Sequence, residues 1–96
     1  MARMHMTPDL AESVAIDILT FLAEDDERLG RFLALTGLAP GSLRDAAREP
    51  GFLLGVLDYL VGDDPLLQMF AGEHEMPPET VVKARDVLAN ASPTDT

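Results

Sequence analysis

Few side chains in this sequence are of the types that perform acid–base or covalent chemistry. The 96 residues include two histidines, His5 and His74, a single lysine and no cysteine. Ser13 and Ser42 lack the Gly-x-Ser-x-Gly turn that exposes a serine nucleophile. The absence of cysteine excludes thiolate metal sites, disulfides and cysteine nucleophiles. We therefore expect no catalytic residues, no cofactor and a protein that is not an enzyme.

Four consecutive acidic residues, Glu24 to Glu27, are a first candidate for a cation site. A calcium loop alternates its acidic ligands and has a glycine at its sharp turn, which this run does not. Carboxylates at the start of a helix cap free N–H groups, so the run predicts a helix start, repeated at Asp63-Asp64. We expect no metal site. A metal-binding protein stays an alternative because Met4-His5-Met6 offers soft ligands.

The segment from Phe32 to Arg48 has the layout of a helix-turn-helix, with a glycine-containing turn before a short helix. In a DNA-binding protein the short helix would present Arg44 and Arg48 to base edges. Asp45 and Glu49 stand beside these arginines, and no basic footprint surrounds them. A helix-turn-helix-like DNA-binding regulator is therefore an alternative function, and a helical corner that fills the core is the preferred interpretation.

The chain is strongly acidic, with a net charge of −10. Such a protein repels phosphate backbones and anionic membranes, and it attracts basic partners. The longest nearly apolar run, Phe52 to Val61, is too short to span a bilayer. A small extracellular domain usually needs disulfides, and the N-terminus lacks the apolar stretch of a signal peptide. We therefore expect a cytoplasmic protein that binds neither membrane nor nucleic acid.

Caps, stops and apolar periodicity predict an all-α fold, a compact bundle of about six helices. The predicted helices begin at Pro8, at Asp25 or Asp26, at Ser42, at Pro50, at Asp64-Pro65 and at Pro78, and the expected ends include Ala23, Gly37, Gly62 and Asn90. We expect a flexible N-terminus over residues 1–7, a single helical domain over residues 8–90 and a disordered tail over residues 91–96.

The sequence repeats itself at an offset of 38 residues. Residues 18–46 align without gaps with residues 56–84, and 8 of the 29 pairs are identical, against about 2 expected from average residue usage. Asp25 aligns with Asp63 and Phe32 with Phe70, so caps match caps and core matches core. The bundle is therefore predicted to consist of two similar three-helix units, about residues 8–48 and 49–90.

The runs from Ile18 to Leu38 and from Val56 to Asp64 resemble a family of small bacterial proteins known as domain of unknown function 3572. The resemblance extends from about Leu10 to Leu88, and its most specific part is Arg28 to Leu38. The family has no assigned activity, so the resemblance implies a bacterial cytoplasmic protein and transfers no functional residues.

The fourth predicted helix is apolar on nearly all sides, which indicates either a central core helix or an interface. We expect a partner-binding surface formed by Phe52, Val56, Tyr59 and Leu60. The protein would then be a non-enzymatic interaction module that forms a homodimer or binds another, unidentified protein.

Overall fold

Six α-helices and one short 3₁₀-helix make up the computed structural model, which describes residues 6–91 and contains no strand in that range. The helices are α1 (Pro8–Ala23), α2 (Asp26–Thr36), α3 (Leu43–Ala46), α4 (Pro50–Val61), α5 (Asp64–Glu73) and α6 (Pro78–Ala91), and the 3₁₀-helix is Pro40–Ser42. The predicted all-α, six-helix fold is confirmed. The predicted flexible N-terminus and disordered tail fall, for residues 1–5 and 92–96, outside the described range.

Side-chain caps fix the starts of three helices. Thr7 accepts a hydrogen bond of 3.2 Å from a first-turn N–H of α1, and Asp25 accepts two, of 2.9 and 3.3 Å, at the start of α2. The cap of α5 is Asp63, the first of the two aspartates at which the sequence predicted a helix start, and Asp64 and Pro65 occupy the first turn. Carboxylates and hydroxyls at these positions satisfy backbone donors that the helix leaves unpaired.

The core lies where α1, α4 and α6 meet, because each of these helices packs against the other two. Helix α2 packs on α1, and α5 packs on α4 and α6. The largest fully buried side chains are Phe21, Phe32, Phe70, Ile18, Leu22, Leu57, Leu60, Leu88, Val56 and Val81. Helix α4 is thus covered on several sides, which explains why its sequence is apolar nearly all round.

Two local expectations were wrong. Ser42 makes no capping hydrogen bond, because its backbone is already helical and continues the 3₁₀ turn into α3. Helix α6 continues through Asn90 to Ala91, so Asn90 does not end it. Met6 belongs to the segment predicted to be flexible and is only 8% exposed, packed in the core, while the flexibility of that segment stays a prediction.

Several positions separated by 38 residues have similar local structures. Asp25 and Asp63 both cap helices, and Phe32 and Phe70 are both buried. Gly37 has φ +73° and Glu75, its counterpart, has φ +50°. The third helices differ, however, because α3 has four residues and α6 has fourteen. The two-unit repeat therefore stays a prediction.

None of the helices in the described part of the chain combines the length and the apolar character that a membrane span requires.

Candidate protein-docking surface

An apolar groove lies between α2 and α4. Its cavity has a volume of about 350 Å³. The groove residues are Phe32, Leu35 and Thr36 on α2 and Gly51, Phe52, Gly55 and Tyr59 on α4. The lining is mainly apolar, so the groove is better suited to an apolar side chain than to a charged ligand.

Three aromatic rings form the floor of the groove. The Phe32 ring lies edge-to-face with Phe52, at 6.0 Å between centroids, and with Tyr59, at 5.1 Å. Phe32 is buried, while Phe52 and Tyr59 are half-buried and present one side to solvent. Edge-to-face pairs favour one arrangement of the rings, so the floor holds its shape before any partner arrives.

Leu35 stands at the edge of the groove and is 70% exposed, more than any other large hydrophobic residue in the described range. Sequence reasoning missed it. Helix periodicity places Leu29, Phe32 and Leu33 on the buried stripe of α2 and leaves Leu35 outside it. A leucine outside the buried stripe was the feature of the sequence that could have predicted an exposed apolar residue here.

Two of the four residues predicted to bind a partner are accessible to solvent. Phe52 and Tyr59 line the groove, but Val56 and Leu60 have no exposed area and belong to the core. The prediction failed for these two residues because they lie on the side of α4 that faces the other core helices. Phe52 and Val56 are four residues apart and are neighbours on the same side of α4, so helical periodicity alone does not separate the exposed pair from the buried pair.

Two glycines leave one wall of the groove without side chains. Gly51 and Gly55 are exposed and one turn apart on α4, and a Cβ atom added at either position would meet nothing within 4 Å. A partner backbone can therefore approach the α4 backbone closely along this wall.

The charged residues of α2 and α4 do not line the groove. Helix α2 contains two acidic residues and two arginines, and α4 contains one acidic residue, Asp58, so the two helices together carry a net charge of −1. Arg31, Arg44 and Arg48 are exposed, and none of them forms an ion pair with another residue in the range 6–91.

A second cleft, between the starts of α2 and α5, contains Arg28, Arg31 and Met69. The Arg28 guanidinium lies 4.1 Å from the centroid of the Phe21 ring, and its side chain is 21% exposed. Its Nε is 3.7 Å from Asp25 Oδ2. Backbone N–H donation from Arg28 and Glu27 lowers the pKa of Asp25 below its ordinary value of 3.8. These contacts anchor the start of α2, and Nη1 of Arg28 is buried there without a hydrogen-bond partner in the described part of the chain.

Two other titratable side chains, His74 and Arg85, also have structural contacts. His74 stacks on Phe70 with ring centroids 4.3 Å apart, at the end of α5. Arg85 of α6 bonds to Asp58 of α4, which raises the pKa of Arg85. No three His, Asp or Glu side chains within residues 6–91 are grouped so that they could hold a metal ion. His5 of the Met4-His5-Met6 triplet lies outside the described residues.

Comparison with known proteins gives one match. A family model described as "Protein of unknown function (DUF3572)" matches residues 8–91, nearly all of the chain. No curated protein and no solved structure has significant similarity to it.

Proposed function

Because this chain belongs to the DUF3572 family, whose function is unknown, we propose from its own surface that it is a non-enzymatic protein-interaction module. The groove between α2 and α4 binds a helix of a partner protein. The observation that carries this proposal is Leu35, an exposed leucine beside an open apolar cavity with an aromatic floor.

The groove has the composition of an interface centre. Such centres are rich in aromatic residues, and a few apolar anchors in pockets supply most of the binding energy. A partner helix commonly places apolar side chains from successive turns into a groove of this kind. A side chain from the partner would enter the cavity over Phe52 and Tyr59, and Leu35 would pack against its flank.

Other functions have less support. The residue inventory, with no cysteine and one lysine, favours a non-enzymatic role. The lack of cysteine also favours the cytoplasm as its location. DNA binding through α3 is disfavoured because this helix has a single turn of four residues. A metal-binding role has only the triplet around His5 to support it.

A displayed library of helical peptides tests the proposal. We expect the wild-type chain to enrich peptides with apolar residues on one face, and Leu35→Asp to lose them. Leu35 is exposed, so this variant keeps the fold, which circular dichroism verifies. Leu10→Asp is the matched control, because Leu10 is 44% exposed on α1 and does not line the groove. Failure to enrich any peptide, or enrichment that survives Leu35→Asp, would refute the proposal.

A further inference from the structure

We propose that residues 39–48 form a lid on α1 that unfolds locally as one unit, while the core of α1, α4 and α6 stays folded. The lid consists of the 3₁₀-helix and α3, together with one residue before them and two after them. Its opening uncovers Leu19, which lies one turn from Ile16 on α1. This inference does not depend on the groove between α2 and α4 or on any partner.

Few contacts attach the lid to the rest of the molecule. Neither the 3₁₀-helix nor α3 has a buried residue, and neither packs extensively against another helix of the described chain. Within residues 6–91, no side chain of the lid forms a hydrogen bond or an ion pair. The attachment therefore depends on apolar packing against the core, to which the half-buried residues Leu43 and Ala47 contribute.

This apolar packing is incomplete. A cavity of about 420 Å³ lies between the lid and α1. Its walls include Ile16, Leu19 and Thr20 on α1, and Leu43 and Ala47 on the lid. A side chain beside an open space has no partner atoms on that side and gains less from dispersion. Segments with few buried apolar contacts open most readily in folded proteins, so the lid should open before the core does.

The backbone hydrogen bonds of the lid explain why it opens as one unit. Three of them begin and end inside the lid: Ser42 N–H donates to Ala39 at 2.9 Å, Ala47 to Leu43 at 3.0 Å and Arg48 to Asp45 at 3.1 Å. A single helical turn is not stable without tertiary packing, because few hydrogen bonds form for the many backbone dihedrals that are fixed. Once Leu43 leaves α1, the helical turns of the lid should therefore be lost together.

The helices on either side of the lid do not need it. At the end of α2, Gly37 N–H donates to the carbonyl of Leu33 at 2.8 Å, and at the start of α4, Leu53 N–H donates to the carbonyl of Glu49 at 3.1 Å. All four residues lie outside the lid. Residues at the ends of helices commonly serve as hinges that absorb a change in backbone conformation. The lid can therefore open between Gly37 and Glu49 while α2 and α4 keep these bonds.

Native-state hydrogen exchange of the full chain, followed by NMR in increasing urea, tests the proposal. We expect the lid amides of Leu43, Ala47 and Arg48 to exchange through one shared opening. Urea should affect this opening little, because local unfolding exposes little surface. Amides in the middle of α1, α4 and α6 should exchange only through global unfolding, with protection factors at least about 100-fold higher and a strong dependence on urea.

Two variants separate local opening from global unfolding. Leu43→Ala weakens the closed lid and should accelerate all three lid amides by the same factor, about fivefold for a half-buried side chain. Leu88→Ala is the matched control, because it shortens a leucine of α6 that is 2% exposed and does not line the cavity. It should accelerate the core amides by at least about tenfold and leave the lid amides unchanged. Val81→Ala is the milder core variant if Leu88→Ala does not fold.

Thiol labelling tests whether the lid covers α1. The chain has no cysteine, so Leu19→Cys supplies a single thiol at a site that is only 8% exposed. We expect this thiol to react through the same opening equilibrium that the lid amides show in the same variant. Leu57→Cys, on α4 with no exposed area, should react only through global unfolding.

Each contrary result has a distinct meaning. If Leu88→Ala accelerates the lid amides as much as the core amides, the lid does not open by itself and the proposal is wrong. If the lid amides respond unequally to Leu43→Ala, they fray separately and there is no single unit. If the thiol of Leu19→Cys reacts faster than the lid opens, the lid does not cover Leu19 and the proposal is overturned on that point.

Discussion

Phe32 and Phe70 are the two aromatic residues on which separate parts of the packing depend. Phe32 contacts the other two rings of the groove floor, and Phe70 lies edge-to-face with Phe21 at 5.4 Å and stacks on His74 at 4.3 Å. Neither has more than 1% of its surface exposed. We expect Phe32→Ala or Phe70→Ala to lower the free energy of unfolding by about 3–5 kcal/mol, measured by urea denaturation.

Leu35→Ala is the control for these two substitutions. It also removes a large apolar side chain from α2, but from a site that is 70% exposed, so we expect a change within about 0.5 kcal/mol. A small loss for either phenylalanine would mean that its pocket collapses around the missing ring, and that the packing around it is not rigid.

We expect Asp25 to make the free energy of unfolding depend on pH in the acidic range. Its pKa is lowered by hydrogen bonds from the N–H groups of Arg28 and Glu27, so folding favours the charged form. The resulting stabilisation is complete above 3.8, the pKa of an unfolded aspartate, and is lost as the pH falls through the lower pKa of the folded state. We expect Asp25→Asn to be less stable than wild type at pH 7, with a smaller difference at pH 3.

Asp17→Asn is the control for net charge, because Asp17 is exposed in the middle of α1 and takes no part in capping. Urea denaturation of the three proteins at both pH values provides the comparison. A difference between Asp25→Asn and wild type that stays constant from pH 7 to pH 3 would show that the carboxylate charge is not what stabilises the start of α2.

At the scale of the helices, sequence predicted best where a local rule acts. The bounds of α1 match the prediction because Thr7-Pro8 and the apolar spacing both fix them. The end of α2 was also predicted correctly, since Gly37 adopts the left-handed conformation that a glycine favours. Helix α3 was harder to predict because its length depends on the turn before it, where Pro40–Ser42 takes a 3₁₀ form.

The two left-handed helix ends give a paired prediction. Gly37 and Glu75 both have positive φ, but only Gly37 is free of the Cβ clash that makes this region costly. We expect Gly37→Ala to destabilise the protein by about 1 kcal/mol and Glu75→Gly to stabilise it by a similar amount. Thermal denaturation followed at 222 nm would measure both shifts.

Gly30→Ala separates strain from helix propensity. Gly30 lies inside α2 with ordinary helical φ, and a Cβ there would meet nothing within 4 Å. Alanine at this site should therefore stabilise by up to about 1 kcal/mol. Equal effects of Gly30→Ala and Gly37→Ala would show that the left-handed backbone at Gly37 relaxes at no cost.

The candidate site was only half predictable, for a physical reason. An apolar residue on a helix can be assigned to core or surface only when the polar residues around it mark the exposed side. Helix α4 has only Asp58 and Tyr59 as such markers, so Phe52 and Val56 look equivalent in sequence. The positions of α1 and α6 decide which of them is buried, and those positions depend on contacts between distant parts of the chain.

For the whole molecule, most helix–helix packing in the core is between the two predicted units and not within each unit. Helix α1 is the longest element of the first unit, yet it packs against α4 and α6, which both belong to the second. Helix α3, in the place that α6 takes in the second unit, has four residues and no buried side chain. The first unit therefore lacks a third helix that could cover its own apolar surface.

We accordingly expect neither unit to fold alone. Separate chains of residues 1–48 and 49–96 should show little helical signal at 222 nm, because most helical stability in proteins comes from tertiary packing of an apolar face, which each separate unit loses. Mixing them should restore helix as the concentration rises, since association recreates the contacts of α1 with α4 and α6. The intact chain is the control. A cooperative melt of residues 1–48 by themselves would show that the first unit closes its own core, and that α6 is an addition to it.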